Sequence, residues 1–166
     1  GKEEAQVVQV YRQGELLTTE LNMTLELEDE IITDSVSTAI LIFPGGNEVI
    51  VTPNTHVKIS SIFVYFGKVL VKVRKAFSVE TEYEVISAEG TEFIVRVEPN
   101  VEVETIVLEG AVQVASKIQG WPPKRVTQFQ RATIPWQQEP EISDMDQDEI
   151  NEYIRWRNQI EQVVKG

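Results

Sequence analysis

Several residues in this chain have types and spacings that bear on chemistry, and each set also has a plainer structural reading. Glu80, Glu82 and Glu84 alternate, as do Glu102 and Glu104. Glycosidic cleavage needs two carboxyl groups held roughly 5–10 Å apart, but alternating residues share one face of a strand, and a row of glutamates is ordinarily a solvated face. Asp144, Asp146 and Asp148 imitate the start of a calcium loop, yet Glu149 stands where that loop needs glycine and Arg155 where it needs glutamate. Helix capping explains these aspartates better. His56, the single histidine, sits in a strand-like stretch with no Gly-x-Ser-x-Gly element to serve, which suits a structural or surface residue. Pro44-Gly45-Gly46-Asn47 lacks the lysine and helix start of a phosphate loop and reads as a hairpin turn. Without cysteine there are no disulfides, thiolate zinc sites or cysteine nucleophiles. Nowhere do nucleophile, base and oxyanion stabiliser assemble, so no catalytic, metal or cofactor residue is expected.

Charge singles out one stretch. The net charge is −12, and residues 1–109 carry 8 basic against 19 acidic side chains. Residues 110–138 hold no acid, only Lys117, Lys124, Arg125 and Arg131, interleaved with Trp121, Phe129 and Trp136. A chain this acidic repels nucleic acid and anionic lipid over most of its surface, so neither is an expected partner. The acid-free block is the exception. Trp121, Lys124, Arg125, Arg131 and Trp136 are the candidate partner-binding residues, suited to an envelope protein or an anionic envelope polymer. The alternative is a segment whose aromatics are buried and whose cations pair with the acidic body.

The elements that must position these residues are strands. At 166 residues the chain is one domain, or one domain with a short appendage. Thr91–Glu98 sets Phe93, Val95 and Val97 against Glu92, Ile94 and Arg96, the period of a half-wet strand, and Gly90 allows a bend or bulge before it. Segments rich in Val, Ile and Thr run from Ala5 to Ser116: Ala5–Tyr11, Thr24–Glu28, Ser37–Phe43, Glu48–Thr52, His56–Ser60, Ile62–Phe66, Lys68–Arg74, Phe77–Thr81, Tyr83–Ser87, Thr91–Glu98, Val101–Leu108 and Ala111–Ser116. Turn residues part many of them, which predicts an all-β fold of short antiparallel strands in a two-layer sandwich or roll, with a solenoid-like roll also open. Lys72 and Arg74 are expected opposite some of Glu80, Glu82 and Glu84. Residues 117–142, with Trp121-Pro122-Pro123, read as an extended strap. Residues 143–165 read as an amphipathic helix capped by Asp146 with Glu149, its stripe of Tyr153, Trp156, Ile160 and Val163 docked on the chain's own sheet or on another chain.

Ala88-Glu89-Gly90-Thr91-Glu92-Phe93-Ile94-Val95 resembles the A-x-G-T-x-F-x-V core of the FecR domain family. Flanking pieces follow in that family's order: Ile31-Ile32-Thr33, Ser37-Thr38-Ala39, Gly46-Asn47-Glu48-Val49, Pro53-Asn54-Thr55, Gly67-Lys68-Val69, Phe77–Thr81 and Leu108-Glu109-Gly110-Ala111-Val112. The likeness covers residues 5–116. One departure stands out, since Glu28-Asp29 occupies a step where such domains often have Gly-Asp. The resemblance implies an extracytoplasmic, periplasmic signalling module of the bacterial envelope, exported or membrane-anchored in its full-length form. Roughly 50 residues follow the β-body, shorter than the separate secretin-and-TonB-like module of anti-sigma regulators. A structural or carbohydrate-binding envelope protein is the alternative, and a hydrolase using strand carboxylates a third. No apolar run approaches the roughly 20 residues of a membrane helix, and no leader peptide is visible.

Overall fold

The computed structural model describes residues 8–118 and 120–165. Ala5–Val7 of the first expected strand lie outside them. Among the described residues fifteen strands precede one helix: β1 (Val8–Arg12), β2 (Glu15–Leu17), β3 (Glu30–Thr33), β4 (Ala39–Ile42), β5 (Glu48–Val51), β6 (His56–Lys58), β7 (Ile62–Val73), β8 (Phe77–Glu80), β9 (Glu84–Ala88), β10 (Thr91–Glu98), β11 (Glu102–Glu109), β12 (Ala111–Ser116), β13 (Lys124–Thr127), β14 (Gln130–Pro135), β15 (Glu141–Asp144) and α1 (Gln147–Lys165). They form one hydrogen-bonded sheet that folds over the main core, with a second, smaller apolar cluster on its outer face.

β7 makes that folding possible. Its first half pairs with β6 and β8, its second with β5 and β10, so the two halves of the sheet meet in one 12-residue strand. The switch falls at Gly67, where φ is +102° and a Cβ would stand 2.3 Å from Thr55 Oγ1. Only glycine fits there. Sequence reasoning divides this strand into Ile62–Phe66 and Lys68–Arg74, because glycine there looks like a break. One half of the sheet runs β2-β1-β3-β6-β7-β8-β9-β12-β13, the other β4-β5-β7-β10-β11-β14-β15. Pairing is antiparallel throughout, apart from Ile62 and Phe63 of β7, which run parallel to Val79 and Glu80 of β8. Lys72 and Arg74 therefore do not face Glu80, Glu82 and Glu84; Lys72 lies between Glu92 and Glu48.

The inner faces bury Val69, Val71, Phe93, Val95, Val107 and their neighbours at or near zero exposure. On the outer face of the second half, register lines up Ile106, Ile94, Leu70, Ile50 and Ile40 across five adjacent strands. Helix α1 covers the first four of these residues with Ile150, Tyr153, Ile154, Trp156, Ile160 and Val164. Asp146 caps it as its sequence predicts, Oδ1 accepting the Glu149 N–H at 2.9 Å while Glu149 Oε1 accepts the Asp146 N–H at 3.4 Å.

Thr24–Glu28 is loop, and the strand expected there begins at Glu30 instead. The reason is the turn before it. Asp29 is fully buried; it accepts two bonds from the Arg12 guanidinium at 2.9 Å and one from the Glu26 N–H at 2.8 Å. The Arg12 bond holds its carboxyl below the usual carboxylate range. Glu28 takes a left-handed φ of +71°, the conformation glycine would supply at that step.

Candidate partner-binding surface

The five candidate binding residues come from the segment after Ser116, which is extended but also paired. β13 joins β12, with Val112 opposite Val126; β14 joins β11, with Ile106 opposite Arg131; β15 closes the edge against β14. Val126, Ala132 and Ile134 face the core, so alternate residues of β13 and β14 are turned outward or sideways. The five are therefore dispersed. Lys124 donates to the Pro140 carbonyl at 2.8 Å and pairs with Glu139 at 3.3 Å, tying the β14–β15 connection to β13. It lines an open polar cleft of about 540 Å³ with Thr133, Gln138, Glu139, Pro140, Glu141, Ile142 and Ser143. Arg125, on the opposite face of the same strand, is exposed with no partner among the described residues. Trp121 is half-buried. Trp136 is 46% exposed beside Val101 at 49%, its N–H donating to the Val101 carbonyl at 2.9 Å.

Arg131 is committed elsewhere, to the junction of α1 with the sheet. It pairs with Glu149 at 2.8 Å and approaches Glu104 at 3.8 Å. Glu104 also receives Arg96 at 3.6 Å and the Tyr153 hydroxyl at 3.2 Å, and is 8% exposed. Burial, with the Glu104 charge, pushes the Tyr153 phenol up to about 12. Next to this network the Lys68 ammonium stands 3.9 Å from the Trp156 ring centroid, and desolvation lowers its pKa. The outer network continues with Arg157 on Glu92 at 3.3 Å and Lys72 on Glu161.

The alternating glutamates divide between surface and interior. Glu82 is exposed and Glu80 pairs with Lys117 at 3.7 Å, as a wet face would have it. Glu84 is different. Thr81, Tyr83 and Glu84 are all buried, so the two-residue period breaks between Tyr83 and Glu84, and the third carboxyl goes into the core. The Tyr83 and Glu84 N–H groups donate to Thr81 Oγ1 at 3.1 and 3.2 Å and make this bend, a signal legible only as a threonine among glutamates. Glu104 likewise belongs to the helix junction and not to a wet face. His56 Nε2 lies 2.8 Å from Glu30 Oε1, which accepts, and the ring stacks on Tyr65 at 4.3 Å. Asp144 accepts from Gln130 and Asp146 caps α1, while among the described residues no cluster of ligating side chains suits a metal.

Sequence reasoning missed Arg74 and Lys75, exposed cations whose side chains cross the β4–β5 turn at Gly46 and Gly45 and which have no carboxylate partner among the described residues. The signal was present in the sequence as two consecutive basic residues beside a turn, in a chain dominated by acids.

No curated protein matches this sequence. Two crystal structures of a candidate anti-sigma factor from Parabacteroides distasonis are similar, with TM-scores of 0.63 and 0.62 and 16% identity each. The matches cover 75% of this chain and 64% and 63% of those chains, so this chain spans less than two thirds of their length. At that identity the likeness is one of fold. The model of the FecR protein family matches residues 29–113, from the buried Asp29 turn through the Gly90 hairpin to the start of β12, which is more than half of the chain. On that match the chain belongs to the FecR family.

Proposed function

We propose that this chain is a non-catalytic binding and signalling module working outside the cytoplasm, and that it recognises a protein of the bacterial cell envelope. Family membership supports the setting, and the fold it shares with candidate anti-sigma factors supports a protein as the partner. The observation that carries the reading is the way the charges are spent. Arg12 with Asp29, Arg131 with Glu149 and Glu104, and Lys124 with Glu139 hold elements together, leaving Arg125, Trp136 and Val101 open. Of the five candidate residues, Trp121, Arg125 and Trp136 are the ones assigned to contact with the partner, while Lys124 and Arg131 are taken up in holding strands and helix together. Glu139 and Glu141 line the same cleft as Lys124, which disfavours an anionic polymer there. Trp136→Ala with Arg125→Glu tests this. Crosslinking to envelope extract should lose its captured protein at least tenfold, with the urea unfolding midpoint unchanged. Undiminished capture, or retention of polysaccharide in place of protein, would overturn the proposal.

A further inference from the structure

Among the described residues the sheet ends in four strands that pair on one side only, β2, β4, β13 and β15. Three carry charge along the edge: Glu15 in β2, Lys124 and Arg125 in β13, Glu141 and Asp144 in β15. Charges of this kind keep exposed edges from pairing with other chains. β4, which reads Ala39-Ile40-Leu41-Ile42, has none, and its register with β5 is unbroken.

The ladder fixes which backbone groups face outward. Phe43 N–H donates to the Asn47 carbonyl at 2.8 Å, so Phe43, Leu41 and Ala39 bond inward to β5, while Ile40 and Ile42 turn N–H and C=O to the open side. Their side chains are 40% and 73% exposed. Ile40 ends the apolar row that α1 covers farther in, and Val163 near the end of α1 is 64% exposed. At the other side of Ile42 the turn is crossed by Arg74 and Lys75, whose N–H groups both donate to Asn47 Oδ1, at 2.8 and 3.1 Å. An apolar edge thus finishes at two unpaired cations.

We propose that β4 is a strand-addition site for an extended segment of a protein partner, apolar at alternate positions and acidic at the end that lies beside Arg74 and Lys75. Main-chain bonds to Ile40 and Ile42 supply the affinity and the cations set the direction and choice of segment. The inference rests on the reading of the chain as a protein-binding module and says where and in what form a protein docks. A second copy of this chain fits less well, since each copy brings a net charge of −12.

The probe is a fluorescent peptide of alternating valine and threonine closed by two glutamates, with a twin closed by two lysines, titrated against the whole chain by anisotropy. The glutamate peptide should bind at least tenfold more tightly than its twin and should slow amide exchange at Ile40 and Ile42. Ile42→Pro removes an outward N–H without touching the β4–β5 ladder. That variant, and separately Arg74→Glu with Lys75→Glu, should each weaken the glutamate peptide at least tenfold; if the proline variant does not fold, Ile42→Lys carries the same expectation. Absence of binding, equal binding of the twins, or full binding by the folded Ile42 variant overturns the site. So does a concentration-dependent dimer abolished by Ile42→Lys, which would install a second copy instead. Trp136→Ala with Arg125→Glu should leave peptide binding intact, so a failure here is distinct from a failure of envelope-protein capture.

Discussion

Glu84 offers the sharpest test of the interior. Its carboxyl is fully buried; Oε1 accepts one bond from Thr105 Oγ1 at 3.3 Å, and Oε2 has no hydrogen-bond partner among the described residues. A carboxylate there would be an unpaired buried charge, so burial pushes the group up from its ordinary 4.5 to about 8, against a smaller pull from Thr105. The folded protein keeps Glu84 protonated at neutral pH, while the unfolded chain ionises it near 4.5. Since the native state then binds the extra proton, stability from this residue is complete below pH 4.5 and falls as pH rises through about 8. Each pH unit in that window removes about 1.4 kcal/mol, and the whole window about 5 kcal/mol. That is comparable with the total stability of many domains, about 5–15 kcal/mol, so Glu84 should set the alkaline limit of this fold. Glu84→Gln keeps the shape and the bond from Thr105 but cannot ionise. Urea unfolding of both proteins from pH 5 to pH 8 should give a stability difference that widens by about 1.4 kcal/mol per pH unit in favour of the glutamine variant. Using the difference cancels groups common to both proteins, such as Asp29, whose lowered pKa acts only in acid. A difference that stays flat across this range would mean that Glu84 is ionised and paired, and the reasoning would fail.

Three further experiments probe the backbone and the helix junction. Glu28→Gly should stabilise the protein by about 1 kcal/mol in urea titration, because glycine adopts the left-handed turn at +71° without cost and the lost Lys58 contact is exposed. Gly67→Ala should cost about 3–5 kcal/mol by the same assay, since its Cβ would lie 2.5 Å from Thr55 Cα and the backbone there cannot yield. A double-mutant cycle on Arg157→Ala and Glu92→Ala should return a coupling of about 0.5–1 kcal/mol, and zero coupling would show that the helix does not sit in the register described.

Regular alternation made most of the fold legible. Phe93, Val95 and Val97 face inward as their spacing requires, and Asp146 with Glu149 caps the helix as written. Reading failed where one side chain overrides the period. Thr81 bends the chain so that Glu84 enters the core, and Asp29 draws Arg12 across 17 residues to fix a turn where a strand was expected. The partners of the charges in the candidate binding block were hidden from the sequence for another reason. Composition says that residues 110–138 lack acids, but it cannot say that Arg131 will meet Glu149 from the helix or that Lys124 will meet Glu139 from the next turn. Charge balance along a chain is a poor guide to charge balance in space when strands from distant segments become neighbours.

The same point explains how α1 finds its place and what it leaves uncovered. Glu149 meets Arg131 on β14, Tyr153 meets Glu104 on β11, Arg157 meets Glu92 on β10, and Glu161 meets Lys72 on β7. Four side chains spaced by four residues thus engage four adjacent strands in order. Four residues of helix rise about 6 Å, whereas strands lie about 4.8 Å apart, so the helix keeps step only by crossing the sheet obliquely. The helix side of the ladder reads acid, phenol, cation, acid against cation, acid, acid, cation on the sheet, and a slip by one turn would set Glu161 over Glu92 and Lys165 over Lys72. Beyond β7 the apolar row runs on through Ile50 of β5. The apolar row continues one strand beyond that, to Ile40, so the residue left over by the helix is the one that the open edge presents.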